Sequence, residues 1–144
     1  MIKKIALALG LAAALTTVTA PVYAIDLYPE IKVQISQGTN ACPDPSLCLY
    51  ELPNFNASRD ARVVILPAGL VWNLHSYGVG DDADSVYCTR QVWSCDLYDG
   101  TEKQGAKVVV PSGEALNTLS SAVATLPGGD RVIMDLRNRV SSTY

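Results

Sequence analysis

Two stretches of this 144-residue chain read as one unit written twice: CLYELPNFNASRDARVVILPAGLVWNLHSYGVGDDADSVYC, from Cys48 to Cys88, and CDLYDGTEKQGAKVVVPSGEALNTLSSAVATLPGGDRVIMDL, from Cys95 to Leu136. Each has a cysteine shortly before Leu-Tyr (Leu49-Tyr50, Leu97-Tyr98), then an acidic turn, an apolar run and a Pro-x-Gly (Pro67 to Gly69, Pro111 to Gly113). An asparagine follows four residues after that glycine in both (Asn73, Asn117), and an Asp-bearing loop, GDDADSV or PGGDRV, leads into a last strand. Two copies are too few for a solenoid or a propeller. Two four-stranded Greek keys packed face to face fit better, each covering the apolar face that the other cannot bury alone.

The local signals agree with an all-β sandwich. IKVQIS (Ile31 to Ser36) alternates apolar and polar residues, as a half-buried strand does. LCLYE, RVVIL, SVYC, KVVV and RVIMDL follow, separated by clusters of Gly, Pro, Asn and Asp. One segment speaks for a short helix, because Leu116, Leu119, Val123 and Leu126 recur at helical spacing. Trp72, Tyr77 and Tyr87 fall on strands or their ends and are expected in the core. Tyr50 and Tyr98 hold matching positions, which predicts buried rings with partnered hydroxyls.

The first residues set the compartment. Lys3 and Lys4 precede an apolar run from Ile5 to Leu15 and a small-residue exit at Val22 and Ala24. That is the plan of a secretory signal peptide over residues 1–24, leaving a single domain of residues 25–144 that is secreted or periplasmic. The apolar run is too short to span a bilayer. Loss of Lys3 and Lys4 moves the formal charge from −3 to −5, with nine basic side chains against fourteen acidic ones. So acidic an exported domain is a poor partner for nucleic acid or an anionic membrane. It is expected as a monomer that meets soluble proteins.

Four cysteines in such a domain read as two disulfides, although four allow three pairings and the sequence alone does not choose. The short spacings of CPDPSLC (Cys42 to Cys48) and CTRQVWSC (Cys88 to Cys95) favour local pairing. Each bond would contribute roughly 2 kcal/mol by chain entropy. A zinc site ranks below this, since His75 is the single histidine. For the same reason a Ser–His–Asp or Cys–His mechanism would have to run through His75, which has no nucleophile elbow or zinc-type spacing near it. No cofactor motif is present, and the chain is not expected to be an enzyme.

With these residues laid out, the sequence resembles the βγ-crystallin superfamily. LYELPNF and the later DDADSV look like its strand, aromatic turn and serine-bearing loop. More narrowly, CPDPSLCLY, and a second short-spaced cysteine pair followed by a tyrosine, look like the small secreted bacterial peptidase inhibitors of that superfamily. These act on thermolysin-like metalloproteinases. The resemblance covers about Asn40 to Leu136, and it implies a βγ-crystallin-like β-sandwich of two Greek keys.

It also implies an inhibitory loop made of Cys88, Thr89, Arg90, Gln91, Val92, Trp93, Ser94 and Cys95, offered to a target peptidase. The disulfide would keep both ends together if the peptide were cut, and a loop already rigid loses little entropy on docking. By resemblance the contact bond is Cys88–Thr89. Thr89 is polar where a thermolysin-like pocket favours an apolar group, so either the target differs or Val92 and Trp93 anchor the loop. Arg and Trp are frequent interface hot spots, which puts most of the contact energy on Arg90 or Trp93.

The alternative is a non-inhibitory module that binds calcium. The superfamily pattern is Asn/Asp-Asn/Asp-x-x-Ser/Thr-Ser. Aligned on Ser85, the loop Gly80 to Val86 lacks the first acid or amide and carries Asp84 in place of the hydroxyl; aligned on Asp81-Asp82, Ser85 fits but Val86 replaces the final serine. PGGDRV has lost the pattern, and a solvated acidic turn is the expected state.

Overall fold

The computed structural model describes residues 30–66, 71–89 and 93–144. The signal-peptide assignment therefore lies outside the described residues. Among the described residues, ten strands form two antiparallel five-stranded sheets. The first has the order β1 (Lys32–Ser36), β3 (Ala61–Leu66), β2 (Leu47–Tyr50), β4 (Ser85–Cys88), β7 (Ala115–Leu116). The second has the order β10 (Ser142–Thr143), β5 (Cys95–Tyr98), β6 (Lys107–Val110), β8 (Ala122–Thr125), β9 (Arg131–Met134). This is the all-β sandwich that the duplicated sequence implies.

Alternation builds the core between the sheets. Leu47, Leu49, Val64, Leu66 and Val86 point inward from the first sheet and meet Leu97, Val108, Val110, Ala122 and Ala124 from the second. The halves are also exchanged. Strand β7 of the second half pairs with β4 of the first, Val86 opposite Leu116. In return Val71 of the first half pairs with Thr143 of β10. Each sheet therefore contains a piece of the other repeat, and neither half closes alone.

The same bolt fastens both halves. After β2 the chain folds back through Asn54, Phe55 and Asn56, all at φ between 51° and 60°; after β5, Glu102 and Lys103 do so at 56° and 60°. Left-handed backbone is unfavourable for side-chain-bearing residues. A buried serine compensates. Ser85 Oγ donates to the Leu52 carbonyl (2.7 Å) and accepts from Phe55 N–H (3.0 Å). Ser142 Oγ donates to the Gly100 carbonyl (2.6 Å) and accepts from Lys103 N–H (3.1 Å). Each turn also reaches across the exchange, Asn54 N–H to the Asn117 carbonyl (2.7 Å) and Glu102 N–H to the Trp72 carbonyl (2.6 Å).

These bonds correct the repeat register. Ser142 is the counterpart of Ser85, and PGGDRV is instead the turn of an extra hairpin, β8–β9, within the second half. The side chain of Asn73 accepts from His75 N–H, and Thr118 Oγ1 accepts from Ser120 N–H in the same way, so Asn73 matches Thr118 rather than Asn117. The expected helix over Ser112 to Leu126 is absent: Ala122 and Ala124 face the core while Val123 is exposed, a strand pattern that small alanines conceal. Strand β1 forms as expected, but at a sheet edge, with Val33 and Ile35 exposed rather than half-buried. Trp72 and Tyr77 are likewise exposed and not core, whereas Tyr87 packs against the outer cluster of the first sheet.

Tyr50 is fully buried, its ring edge-on to Phe55 at 5.5 Å. Its hydroxyl has no hydrogen-bond partner among the described residues, contrary to expectation. Burial, then the nearby Tyr87, pushes its pKa from 10 up to about 12.

Ser85→Ala or Ser142→Ala leaves a buried carbonyl and N–H unsatisfied and should cost about 1–3 kcal/mol by urea unfolding. The Tyr50 hydroxyl is neutral when protonated, and the folded state holds that proton more tightly than the unfolded chain. Its contribution is thus complete below pH 10 and is lost as pH rises toward about 12. Tyr50→Phe should flatten that alkaline loss and leave stability at pH 7 unchanged or raised, because no buried bond is broken.

Candidate functional site

The two disulfides are Cys42–Cys48 and Cys88–Cys95, each with Cα atoms 5.9 Å apart. They do different work. Cys42–Cys48 ties the segment before β2 onto the outer face of the first sheet, where Cys48, Tyr50, Val63 and Ile65 lie beneath it. Cys88–Cys95 does not staple a hairpin. Cys88 ends β4 in one sheet and Cys95 begins β5 in the other, so the bond joins the sheets at the passage from first half to second. Both sulfurs sit inside the main core, with Cys88 and Cys95 each 0% exposed.

Thr89 proves to be a fastener. Its N–H donates to the Ser46 carbonyl (2.9 Å), and its hydroxyl accepts from Ser46 N–H (2.8 Å). The same hydroxyl lies 3.0 Å from each of the Pro43 and Ser46 carbonyls. Pro43 and Ser46 belong to the Cys42–Cys48 loop, so Thr89 locks the foot of one disulfide loop onto the other. The Cys88 carbonyl accepts from Gly113 N–H (2.8 Å), and Cys88 N–H donates to the Glu114 carbonyl (3.0 Å). The Cys88–Thr89 peptide is thereby held in the scaffold, with its carbonyl turned to Gly113. Arg90, Gln91 and Val92 lie outside the described residues. Trp93 and Ser94 are exposed, and at 69% Trp93 is the most open aromatic ring among the described residues.

The sequence did not flag this link between the loops. Its one signal is a threonine directly after Cys88, whose short branched side chain can bond neighbouring backbone while it holds an extended conformation.

His75 Nε2 lies 3.1 Å from Ser141 Oγ and 3.6 Å from Asp81 Oδ2, which assembles the residue types of a hydrolytic triad. The geometry is wrong for one. Serine and aspartate meet the same ring nitrogen, whereas a triad places them on opposite nitrogens. Ser141 is buried, and its hydroxyl is also within 3.3 Å of the Asp99 and Arg139 carbonyls and 3.1 Å from Asp81 Oδ1. These contacts bind two loops together.

The carboxylates of the Gly80 to Val86 loop diverge. Asp81 faces Ser141 and His75, and Asp82 pairs with Arg62. Asp84 is held above the ordinary carboxylate range by burial, partly offset by Arg137. The matching loop of the second half is Arg137 to Ser142. Arg137 stands where the superfamily pattern has its first acid, and it binds the Asp135 carboxylate through Nε and Nη2. Those hydrogen bonds pull Asp135 down to about 2. No group of three or more His, Cys, Asp or Glu side chains converges among the described residues. Their carboxylates therefore do not converge as the six to eight oxygens around a calcium ion must. Millimolar calcium is expected to shift the melting temperature by less than about 1 °C, whereas a saturable rise would contradict this.

No family profile matches the chain, and no curated protein matches it. Among solved structures, one described as "Evolution of the eye lens beta-gamma-crystallin domain fold" superposes with a TM-score of 0.55 at 16% identity. It covers 78% of this chain and 93% of that one. At that identity the likeness speaks for the fold alone, and with the exchanged strands and paired serine bolts it gives this chain a βγ-crystallin-like fold.

Proposed function

We propose that the protein is an exported inhibitor of a peptidase, a metallopeptidase by the resemblance of its cysteine loops, and not itself an enzyme. The observation that carries the reading is Trp93, a large apolar ring turned to water on a loop whose two ends are disulfide-bonded inside the core. An isolated tryptophan so placed forgoes burial energy that a partner would recover. The rigid base limits the entropy lost on docking.

In this reading Cys88 and Cys95 clamp the loop, Thr89 fixes its foot, and the residues from Arg90 to Ser94 meet the enzyme. The displayed segment after Thr89, and not the Cys88–Thr89 peptide, supplies the contact. Two disulfides suit an oxidising compartment, in keeping with the leader-like first residues. A calcium-dependent module is the weaker reading, because Asp82 is paired with Arg62, Asp135 with Arg137, and Asp81 lies against the Ser141 hydroxyl.

Titration of the disulfide-bonded protein into thermolysin-like, serine and cysteine peptidases tests the proposal. Inhibition of a metallopeptidase is expected, weakened about thirtyfold or more by Trp93→Ala with no change in melting temperature. Thr89→Ala should do the reverse in kind, lowering stability by about 1–3 kcal/mol through its lost bonds to the Cys42–Cys48 loop. Absence of inhibition in every class at micromolar protein would contradict the reading.

A further inference from the structure

The internal duplication supplies its own control for the outer faces of the two sheets. In the first sheet, Tyr50 opposes Val63 and Cys48 opposes Ile65; in the second, the same register sets Tyr98 against Lys107 and Asp96 against Val109. The first face is roofed by the chain's own segment from Gly38 to Ser46 together with Phe55, and Cys48, Tyr50 and Val63 are 0% exposed. The second face has no such roof among the described residues. Val109 is 45% exposed, Val123 49%, Ile133 75% and Tyr144 52%. Val123 lies directly opposite Ile133, and the Tyr144 backbone pairs with Asp96, so these side chains form one row across the sheet.

The charge of this face differs from that of the whole chain. Lys107 and Arg131 occupy the next row, since Lys107 and Arg131 both pair with Thr125. Lys103 Nζ rests 3.3 Å from the Tyr144 ring centroid and 5.2 Å from that of Trp72. The acid in the row is Asp96, which is shared with Lys107 at 3.4 Å. Beside them a recess of about 510 Å³ opens between Tyr98, Lys103, Lys107, Thr125 and Leu126. A chain of net charge −3 thus gathers three bases around its exposed apolar row.

We propose that the outer face of the second sheet, strands β5, β6, β8 and β9, is a docking surface for an extended acidic–apolar segment of a partner protein. The duplicated face says what kind of object covers such a sheet, an irregular extended polypeptide with small apolar side chains turned inward. The bases say that this one carries carboxylates, one of them seated in the recess between Lys103 and Lys107. A symmetric second copy is disfavoured, because it would set the same bases against each other. The proposal does not rest on the inhibitor reading.

The test is nitrogen-15 NMR titration of the disulfide-bonded protein with a short synthetic peptide alternating glutamate with valine and phenylalanine, beside the same peptide with lysine for glutamate. The acidic peptide should shift the amides of Lys107, Val109, Val123 and Ile133, with at least about tenfold tighter binding than the basic one. Lys103→Glu with Arg131→Glu should reverse that preference, and Ile133→Lys, an exposed change that keeps the folded spectrum, should weaken binding of the acidic peptide about tenfold or more. Trp93→Ala should leave it unchanged, which separates this surface from the loop. No shifts on this face at millimolar peptide, equal response to both peptides, or a dimer in sedimentation that Ile133→Lys dissolves would each overturn the proposal.

Discussion

Two buried hydroxyls, those of Ser85 and Ser142, hold the architecture together. Each closes a chain reversal built from residues that carry side chains yet sit at positive φ, a conformation costing on the order of 1 kcal/mol per residue. Each gives a carbonyl and an N–H their partners in a place that water does not reach. Because the reversals also bond to backbone of the opposite half, at Asn117 and Trp72, the strain in one repeat is relieved by the other. Each reversal thus depends on backbone from the other repeat. The exchanged strand Ala115–Leu116 is two residues long and leads directly to Asn117, whose carbonyl the first turn bonds.

The passage from Cys88 to Cys95 is anchored in the same framework. The chain must leave one sheet and enter the other there, and a buried disulfide joins the two points of departure. Thr89 adds the Cys42–Cys48 loop to the same base, so both local disulfides brace one end of the molecule. Bonds that look redundant in a stable core thus become a rigid support. Beside that support Trp93 lies exposed to water.

Much of this was legible in the chain and some was not. The strands around Leu49, Val64, Val86 and Val108 declared themselves through β-branched runs, and the cysteine spacings favoured the pairings that formed. The exchange was hidden, because Val71 and Ala115–Leu116 are too short to carry a period. The β8–β9 hairpin displaces the second loop along the chain, so the repeat pattern points to PGGDRV although RNRVSS, with Ser142, is the true counterpart of the Ser85 loop. Alanines at 122 and 124 left Leu116, Leu119, Val123 and Leu126 to suggest a helix. Trp72 was expected in the core on hydrophobicity alone, yet the exchange turns Val71 inward and leaves Trp72 to water. Of the loop, its clamp was readable, whereas the inward role of Thr89 depends on Pro43 and Ser46, over forty residues away.

The loop's two ends are joined to each other across the sheets, and every role proposed for the loop depends on that bond. Proteolysis without reduction, followed by mass spectrometry, reads this directly. The account predicts one linked pair containing Cys88 and Cys95 and a second containing Cys42 and Cys48, with no free thiol. A bond from either early cysteine to either late one, or a free sulfhydryl at Cys88 or Cys95, would contradict it.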